Sequence, residues 1–361
     1  EGYAIAEAGV FYRDFEKETL RKGYYLPSYP ASREICALGG MIANNSGGER
    51  SLKYGKTDRY VQTLKAVFSD GNEYLLQPLG GAELQAKMNL QNFEGEIYRK
   101  VYELVEGNYD LLERARPNVS KNSAGYSLWD VWNRSTFDLI KLMVGSQGTL
   151  GLVTEAGFRL VPQKKDTALL VVFLKDLKKL PEIVHKILEF QPVSLESFDD
   201  HTFKLAVKFF GGFLSQLGVN FVSLALSFLP EFLMVLSRGV PKLMLLVELE
   251  DENQVLADMK IRTLRDGLAR FGVRTHLTKT KREAEKYWVM RRESFNLLRH
   301  KVKDRQAAPF IDDIIVRPEY LPEFLPKLYE ILDRYKFLYT IAGHAGDGNF
   351  HIIPLMKLGS E

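Results

Sequence analysis

Cysteine is almost missing from this chain: Cys36 is the single one in 361 residues. One thiol excludes an internal disulfide, and it excludes an iron–sulfur cluster held by cysteines of this chain alone. A reducing compartment, the cytoplasm, is the expected setting. Long basic runs are missing too. Lys and Arg number 49 against 46 Asp and Glu, a formal net charge of +3, and the signs are interspersed. Nothing in that pattern points to nucleic acid. No G-x-G-x-x-G occurs. Gly55-Lys56-Thr57 looks like the end of a P-loop, but Arg50 stands where that motif needs glycine, so the motif is rejected. There is no signal peptide at the start and no initiating Met. The chain opens on Gly2-Tyr3-Ala4-Ile5-Ala6, which reads as mid-strand, and closes just after a strand over 351–355. Both ends are expected to be cuts in a longer protein. Charge is absent from residues 209–230. Their length would allow a membrane span, but glycines and polar residues dilute the first half. A surface-lying helical hairpin and an internal lid are the other readings.

What is present suits an ordinary globular protein of two or three domains, with 45% hydrophobic and 26% charged residues. Residues 1–163 are rich in glycine and short β-type runs. A short helix is expected over 14–22, a hairpin over 63–76 and a strand over 151–160 ended by Pro162. From about residue 166 the texture changes. Strands are expected over 168–174, 193–198, 242–250, 273–278 and 310–316, and helices over 181–190, 252–270, 282–298 and 321–335. That alternation predicts an antiparallel α+β sheet with helices on one face.

Asp347-Gly348 is a strong signal for a two-residue type I′ hairpin turn. Counting outward, His344 would face His351 directly, with the two side chains on one face of the pair. Imidazoles so placed can share a divalent metal ion, although at least one further donor is needed. Two surface histidines on a hairpin are the plainer reading; the turn chemistry and the cross-strand match favour the metal. His185, His201, His276 and His300 lie apart in sequence and read as structural or surface residues.

Three glycine-rich or polar segments let the backbone approach a flat or anionic ligand closely: 38–48, 121–126 and 145–155. Each alone could be a surface loop. Together with Pro30-Ala31-Ser32, Tyr54-Gly55 and the segment 343–351, their order resembles the FAD-linked 2-hydroxy-acid dehydrogenases, among the vanillyl-alcohol-oxidase-type flavoproteins. The resemblance covers the chain except for 203–238, which looks like an apolar insertion. It implies an FAD-binding domain over 1–163, without its N-terminal subdomain, and a ferredoxin-like antiparallel cap over 164–361, without its C-terminal end. It implies FAD contacts from Pro30, Ala31, Ser32, Gly39, Gly40, Asn44, Ser46, Gly47, Tyr54, Gly148, Gly151 and Val153. It also implies a divalent metal, usually zinc, on His344 and His351, and Arg291 as the residue that binds the substrate carboxylate. A helix-surface salt bridge, such as the adjacent Arg292 with a neighbouring glutamate, is the alternative. In the family, a Glu-His pair beyond the hairpin completes the metal site and supplies the base, so the isolated piece is expected to be inactive.

The implied reaction is oxidation of a 2-hydroxy acid, with electrons passed to a quinone or an iron–sulfur partner. Relatives that act on 2-hydroxyglutarate tend to carry a lysine where this chain has Phe310-Ile311-Asp312-Asp313-Ile314, and an asparagine at the position of Ile353. Both departures favour a small monocarboxylate such as D-lactate or glycolate. Asp312 and Asp313 could support the metal histidines or form a solvated loop edge. The uncharged segment 209–230 could dock an electron-transfer partner or the cytoplasmic face of a membrane. Two other readings are a non-redox flavin synthase of the alkylglycerone-phosphate type and a non-catalytic subunit of a dehydrogenase complex.

Overall fold

The computed structural model describes residues 2–164, 166–200, 202, 239–301, 306–308, 313–335 and 338–357. Side chains of 292–301, 306, 307 and 338 lie outside that description. The apolar segment 209–230 lies outside it as well. Among the described residues, no helix is long and apolar enough to cross a membrane. The chain divides into two compact units, 1–163 and 164–361.

The first unit is built on an antiparallel sheet of β1 (Gly2–Glu7), β2 (Tyr24–Tyr25), β3 (Val61–Val67), β4 (Glu73–Leu76) and β5 (Leu152–Pro162). The strand order is β1-β5-β3-β4, and β2 pairs with the end of β5. The β3–β4 hairpin and β5 form where alternation and Pro162 place them. β1 shows strict alternation of exposed and half-buried residues, as a strand with one solvated face should. The core gathers Tyr12, Phe15, Leu64, Phe137, Ile140 and Phe158, all buried, under the helices Tyr12–Arg21 and Phe93–Gly107.

The second unit holds β6 (Asp166–Leu174), β7 (Ser194–Asp199), β8 (Leu243–Asp251), β9 (Arg274–Leu277), β10 (Gln306–Ala307), β11 (Ile314–Ile315), β12 (Leu338–His344) and β13 (Asn349–Met356). Their order is β10-β13-β12-β7-β8-β6-β9, with β11 also paired to β13, and every pairing is antiparallel. Of the strand expected over 310–316, Ile314–Ile315 forms, and 310–312 lie outside the described residues.

Helices cover both faces of this sheet, not one. β6 from Ala168 onward and β8 up to Val247 are apolar without alternation, the pattern of strands buried on both sides. Leu169, Val171, Phe173, Met244 and Leu246 pack under Tyr287, Trp288 and Met290 of the helix Lys281–Lys301. Leu170, Val172, Leu245 and Val247 point the other way and are equally buried. The buried stripe Ala257, Ile261, Leu264 and Leu268 of the helix Gln254–Leu268 recurs at helical spacing, as a sheet-covering face requires.

Candidate functional site

In the first unit, the segments singled out in the sequence come together. The backbone N–H of Gly145 donates to the carbonyl of Ile42, and that of Gln147 to Ala43, both at 2.9 Å. The Gln147 side-chain amide donates to Asn44 Oδ1, also at 2.9 Å. Thr57 N–H and Oγ1 both bond to the carbonyl of Ser46, and Asn45 Oδ1 accepts from Asp58 N–H. Lys56 Nζ reaches the carbonyl of Asn122 and Ser123 Oγ. Tyr126 and Thr149 share a hydroxyl contact of 2.7 Å. Loops far apart in sequence are therefore tied into one polar surface.

The glycines in this surface serve different ends. A Cβ on Gly48 would stand 2.3 Å from the carbonyl oxygen of Tyr29, next to Pro30. On Gly39 it would meet Ala8, and on Gly47 the Ser51 hydroxyl. These three are needed for internal packing. Gly40 and Gly148 differ: a Cβ on either meets nothing within 4 Å, and Gly148 has φ of +76°. Their backbone is open to a ligand. Ala31 and Ser32 are exposed, and the Ser32 carbonyl accepts the N–H groups of Ile35 and Cys36 in a turn. Tyr54 stacks edge-on to Tyr25. Gly151 and Val153 stand at the start of β5, where Gly151 abuts Phe68 and Val67 and Val153 opposes Ala66. The donor set fits a large, flat, partly anionic cofactor: exposed amides, hydroxyls and open glycine backbone.

In the second unit, the hairpin register differs from the expected one. His344 opposes Asn349 and Ala342 opposes His351, across a four-residue loop, 345–348. Of Asp347 and Gly348, only Gly348 has positive φ, at +69°. The loop closes instead through two overlapping turns, Asp347 N–H to His344 O and Gly348 N–H to Ala345 O. Its geometry is also set from outside: Gly346 N–H donates to the Leu195 carbonyl, and the Val316 N–H to that of Gly348. Backbone contacts from neighbouring strands thus override the Asp-Gly turn preference. The two histidines nevertheless share a face, because positions 349 and 351 lie on the same side of β13. Their ring centroids are 5.5 Å apart with planes at 85°.

That face carries a band of polar side chains. Glu196 of β7 lies beside His344, one step beyond the pairs Ala342–Phe198 and Gly343–Ser197. Its Oε1 is 2.5 Å from His344 Nδ1, and its Oε2 is 2.7 Å from Arg291 Nη2. The Glu196 side chain is 1% exposed, Arg291 13% and His344 12%. A lone carboxylate so deeply buried would be costly; two cationic or N–H partners offset that. Farther along the band, Asp313 Oδ1 lies 3.8 Å from His351 Nδ1 and accepts from the Asn349 amide, which also reaches the Ile314 carbonyl. Asp312 lies outside the described residues.

Arg291 is aimed by its helix. Thr280 Oγ1 accepts from Glu283 N–H, and Glu283 Oε2 accepts from Lys279 N–H, closing the first turn. Glu283 Oε1 also meets His276 Nε2 at 2.7 Å. Burial alone would raise the Glu283 pKa, but the Lys279 N–H, His276 and Lys286 hold it below the ordinary carboxylate value. Trp288 and Tyr287 then press the helix to the sheet, and Arg291, one turn on, reaches Glu196.

The fit to a metal is partial. Among the described residues no group of three His, Cys, Asp or Glu side chains is gathered closely enough to hold an ion. The His344–His351 pair itself fits. With metal–nitrogen bonds of about 2.0–2.1 Å, two imidazoles on one tetrahedral ion have centroids roughly 5 Å apart.

Residues 163–361 match the model of the FAD linked oxidases, C-terminal domain, and residues 1–75 match an FAD binding domain. The chain belongs to the FAD-linked oxidases. The D-2-hydroxyglutarate dehydrogenase of Escherichia coli is 26% identical over 99% of this chain and 35% of its own length. The D-lactate dehydrogenase of Archaeoglobus fulgidus is 26% identical over 99% of this chain and 62% of its own. The chain thus spans between about a third and under two thirds of these relatives. An alkyldihydroxyacetonephosphate synthase structure superposes with a TM-score of 0.61 at 14% identity, over 99% of this chain and 58% of that one. This likeness establishes a shared fold.

Sequence reasoning missed Glu196. The available signal was a charged residue in the middle of 193–198, an otherwise uncharged strand of a sheet buried on both faces.

Proposed function

We propose that this chain forms part of an FAD-dependent enzyme that oxidises a small D-2-hydroxy acid, D-lactate or glycolate, to the 2-oxo acid. One observation carries the reading: Arg291, Glu196, His344 and His351 form a continuous band on one sheet face. Residues 1–163 are the FAD-binding part and 164–361 the substrate part, with 203–238 as an insertion. FAD, when bound, supplies the acceptor for the Cα hydride. A divalent cation, zinc in this reading, would be held by His344 and His351 with a further donor, and would favour the ionised hydroxyl. Arg291 presents a planar fork to the substrate carboxylate, with Glu196 holding its Nη2 at 2.7 Å. The surface joining 38–48 with 145–149 would take the flavin through open backbone at Gly40 and Gly148.

Substrate size follows from the band's edge. Ile353 sits two residues from His351 on the same face of β13, half-buried. An aliphatic side chain there offers no partner to a second carboxylate, which supports a monocarboxylate. Electrons would leave to a quinone or an iron–sulfur partner. Docking of that partner, or a peripheral membrane contact, through 209–230 rests on sequence alone.

The test is anaerobic reduction of bound flavin in the full-length protein by D-lactate, glycolate and D-2-hydroxyglutarate separately, with and without a chelator. Bleaching of the visible flavin band by a monocarboxylate, abolished by the chelator, is the expected result. A flavin that stays oxidised with all three would replace this reading with a non-redox synthase or a scaffold subunit.

A further inference from the structure

We propose that Glu196 is a positioning residue that sets two ligand-facing groups at once: the tautomer of His344 and the aim of Arg291. The proposal rests on the functional reading above only for the nature of the ligand. A carboxylate accepts hydrogen bonds and cannot donate them. With Oε1 on His344 Nδ1, the imidazole proton is held on Nδ1, and Nε2 carries the lone pair. That nitrogen lies on the side of the ring away from Nδ1 and Glu196, and the ring centroid is 5.5 Å from that of His351. With Oε2 on Arg291 Nη2, one edge of the guanidinium is fixed. The same carboxylate thus arranges the lone pair of His344 and the guanidinium of Arg291.

The placement is rigid. β7 is buried at every position and lies between β8 and β12: Glu196 pairs with Leu246 of β8, and the next residues, Ser197 and Phe198, pair with β12. Only a carboxylate can serve both partners. An amide has one acceptor oxygen and one N–H₂, so Gln at this position would meet one of the two donors with another donor. Arginine has only donors, whereas a neutral imidazole can move its proton, so the amide oxygen goes to Arg291 and His344 turns to the Nε2–H tautomer.

The decisive measurement is the tautomer of His344 in the ¹⁵N-histidine-labelled full chain. It is read from two-bond ¹H–¹⁵N correlations with imidazole neutral and no metal added, and assigned with His344→Gln. Wild type should be Nδ1–H, Glu196→Gln should shift toward Nε2–H, and Glu196→Asp, which keeps the carboxylate, should retain the wild-type form. Zinc affinity, from calorimetric titration without substrate, should fall about 10–100-fold in Glu196→Gln and be partly rescued in Glu196→Asp. A wild-type His344 in the Nε2–H form overturns the proposal, as does an unchanged tautomer in Glu196→Gln. The wild-type spectrum decides the matter even if the variants do not fold. If wild type binds no zinc, the metal reading fails, and the tautomer result still judges Glu196.

Discussion

The two units present their candidate surfaces by opposite means. In the first, the ligand-facing groups are backbone and neutral amides on loops laced together by hydrogen bonds, such as Asn44 with Gln147 and Gly145 with Ile42. In the second, they are charged or titratable side chains on strands and one helix, locked by a buried carboxylate. The first kind of surface is specified by the absence of side chains, the second by their identity. The first should tolerate exchange of single polar side chains and resist added methyl groups. The second should be sensitive to exchange of single polar side chains.

The strongest way to break this contrast is Arg291→Ala. Removing one partner of a buried ion pair leaves the other charge uncompensated, which costs about 3–5 kcal/mol. Arg291 and Glu196 are buried, but Glu196 keeps His344 as a partner, so the loss should lie at the low end of that range. Chemical denaturation should show the loss, and a double change of both residues to Met should recover most of it. The first-unit control is Asn44→Ala, an exposed amide whose loss should stay within about 0.5 kcal/mol. Equal effects at the two positions would end the contrast.

Backbone is the next lever. Gly48→Ala would drive a Cβ to 2.3 Å from the Tyr29 carbonyl, and overpacking of this kind costs about 1–3 kcal/mol. Gly348→Ala is expected to reach the top of that range, because its Cβ would strike the Val316 carbonyl and its φ is positive. Gly40→Ala separates fold from ligand. Gly40 lies in the helix Leu38–Ala43 with nothing within 4 Å of an added Cβ. Alanine there should leave the melting temperature unchanged or raise it, since glycine costs a helix about 0.5–1 kcal/mol. Flavin affinity should nevertheless fall. Unchanged flavin binding in Gly40→Ala would remove that backbone from the cofactor surface.

This division also explains what was legible in the sequence. The β3–β4 hairpin, β5, β6, β8 and the helix Leu321–Arg334 follow from local periodicity, Pro162 and Pro322. The same-face placement of His344 and His351 was legible even though the turn type and register were not. Direct and diagonal cross-strand neighbours share a face, so a register error of two residues preserves it. The turn itself was hidden because contacts from Leu195 and Val316 shape it. Glu196 was hidden for a related reason: its histidine lies 148 residues away, and no local pattern announces that pairing. Helices on both faces were implied by the unbroken apolar run of β6, a signal the alternation argument set aside.

The smallest expected effect sharpens the second unit alone. Glu283 caps the helix that carries Arg291 and also holds His276. Its folded-state pKa lies below the ordinary value, although burial acts to raise it, because the Lys279 N–H, His276 and Lys286 favour the carboxylate. The unfolded state therefore binds the proton more readily. The stabilisation is present above the unfolded pKa of about 4.3 and is lost as pH falls through the lower folded value. Wild type should thus be more stable than Glu283→Gln at neutral pH, with the gap closing on acidification below about pH 4. Denaturation midpoints of both proteins across pH 3–7 test this. A gap that persists undiminished at the acid end would mean that Glu283 acts through shape alone, and that the aim of Arg291 is set by Trp288 packing without help from the helix start.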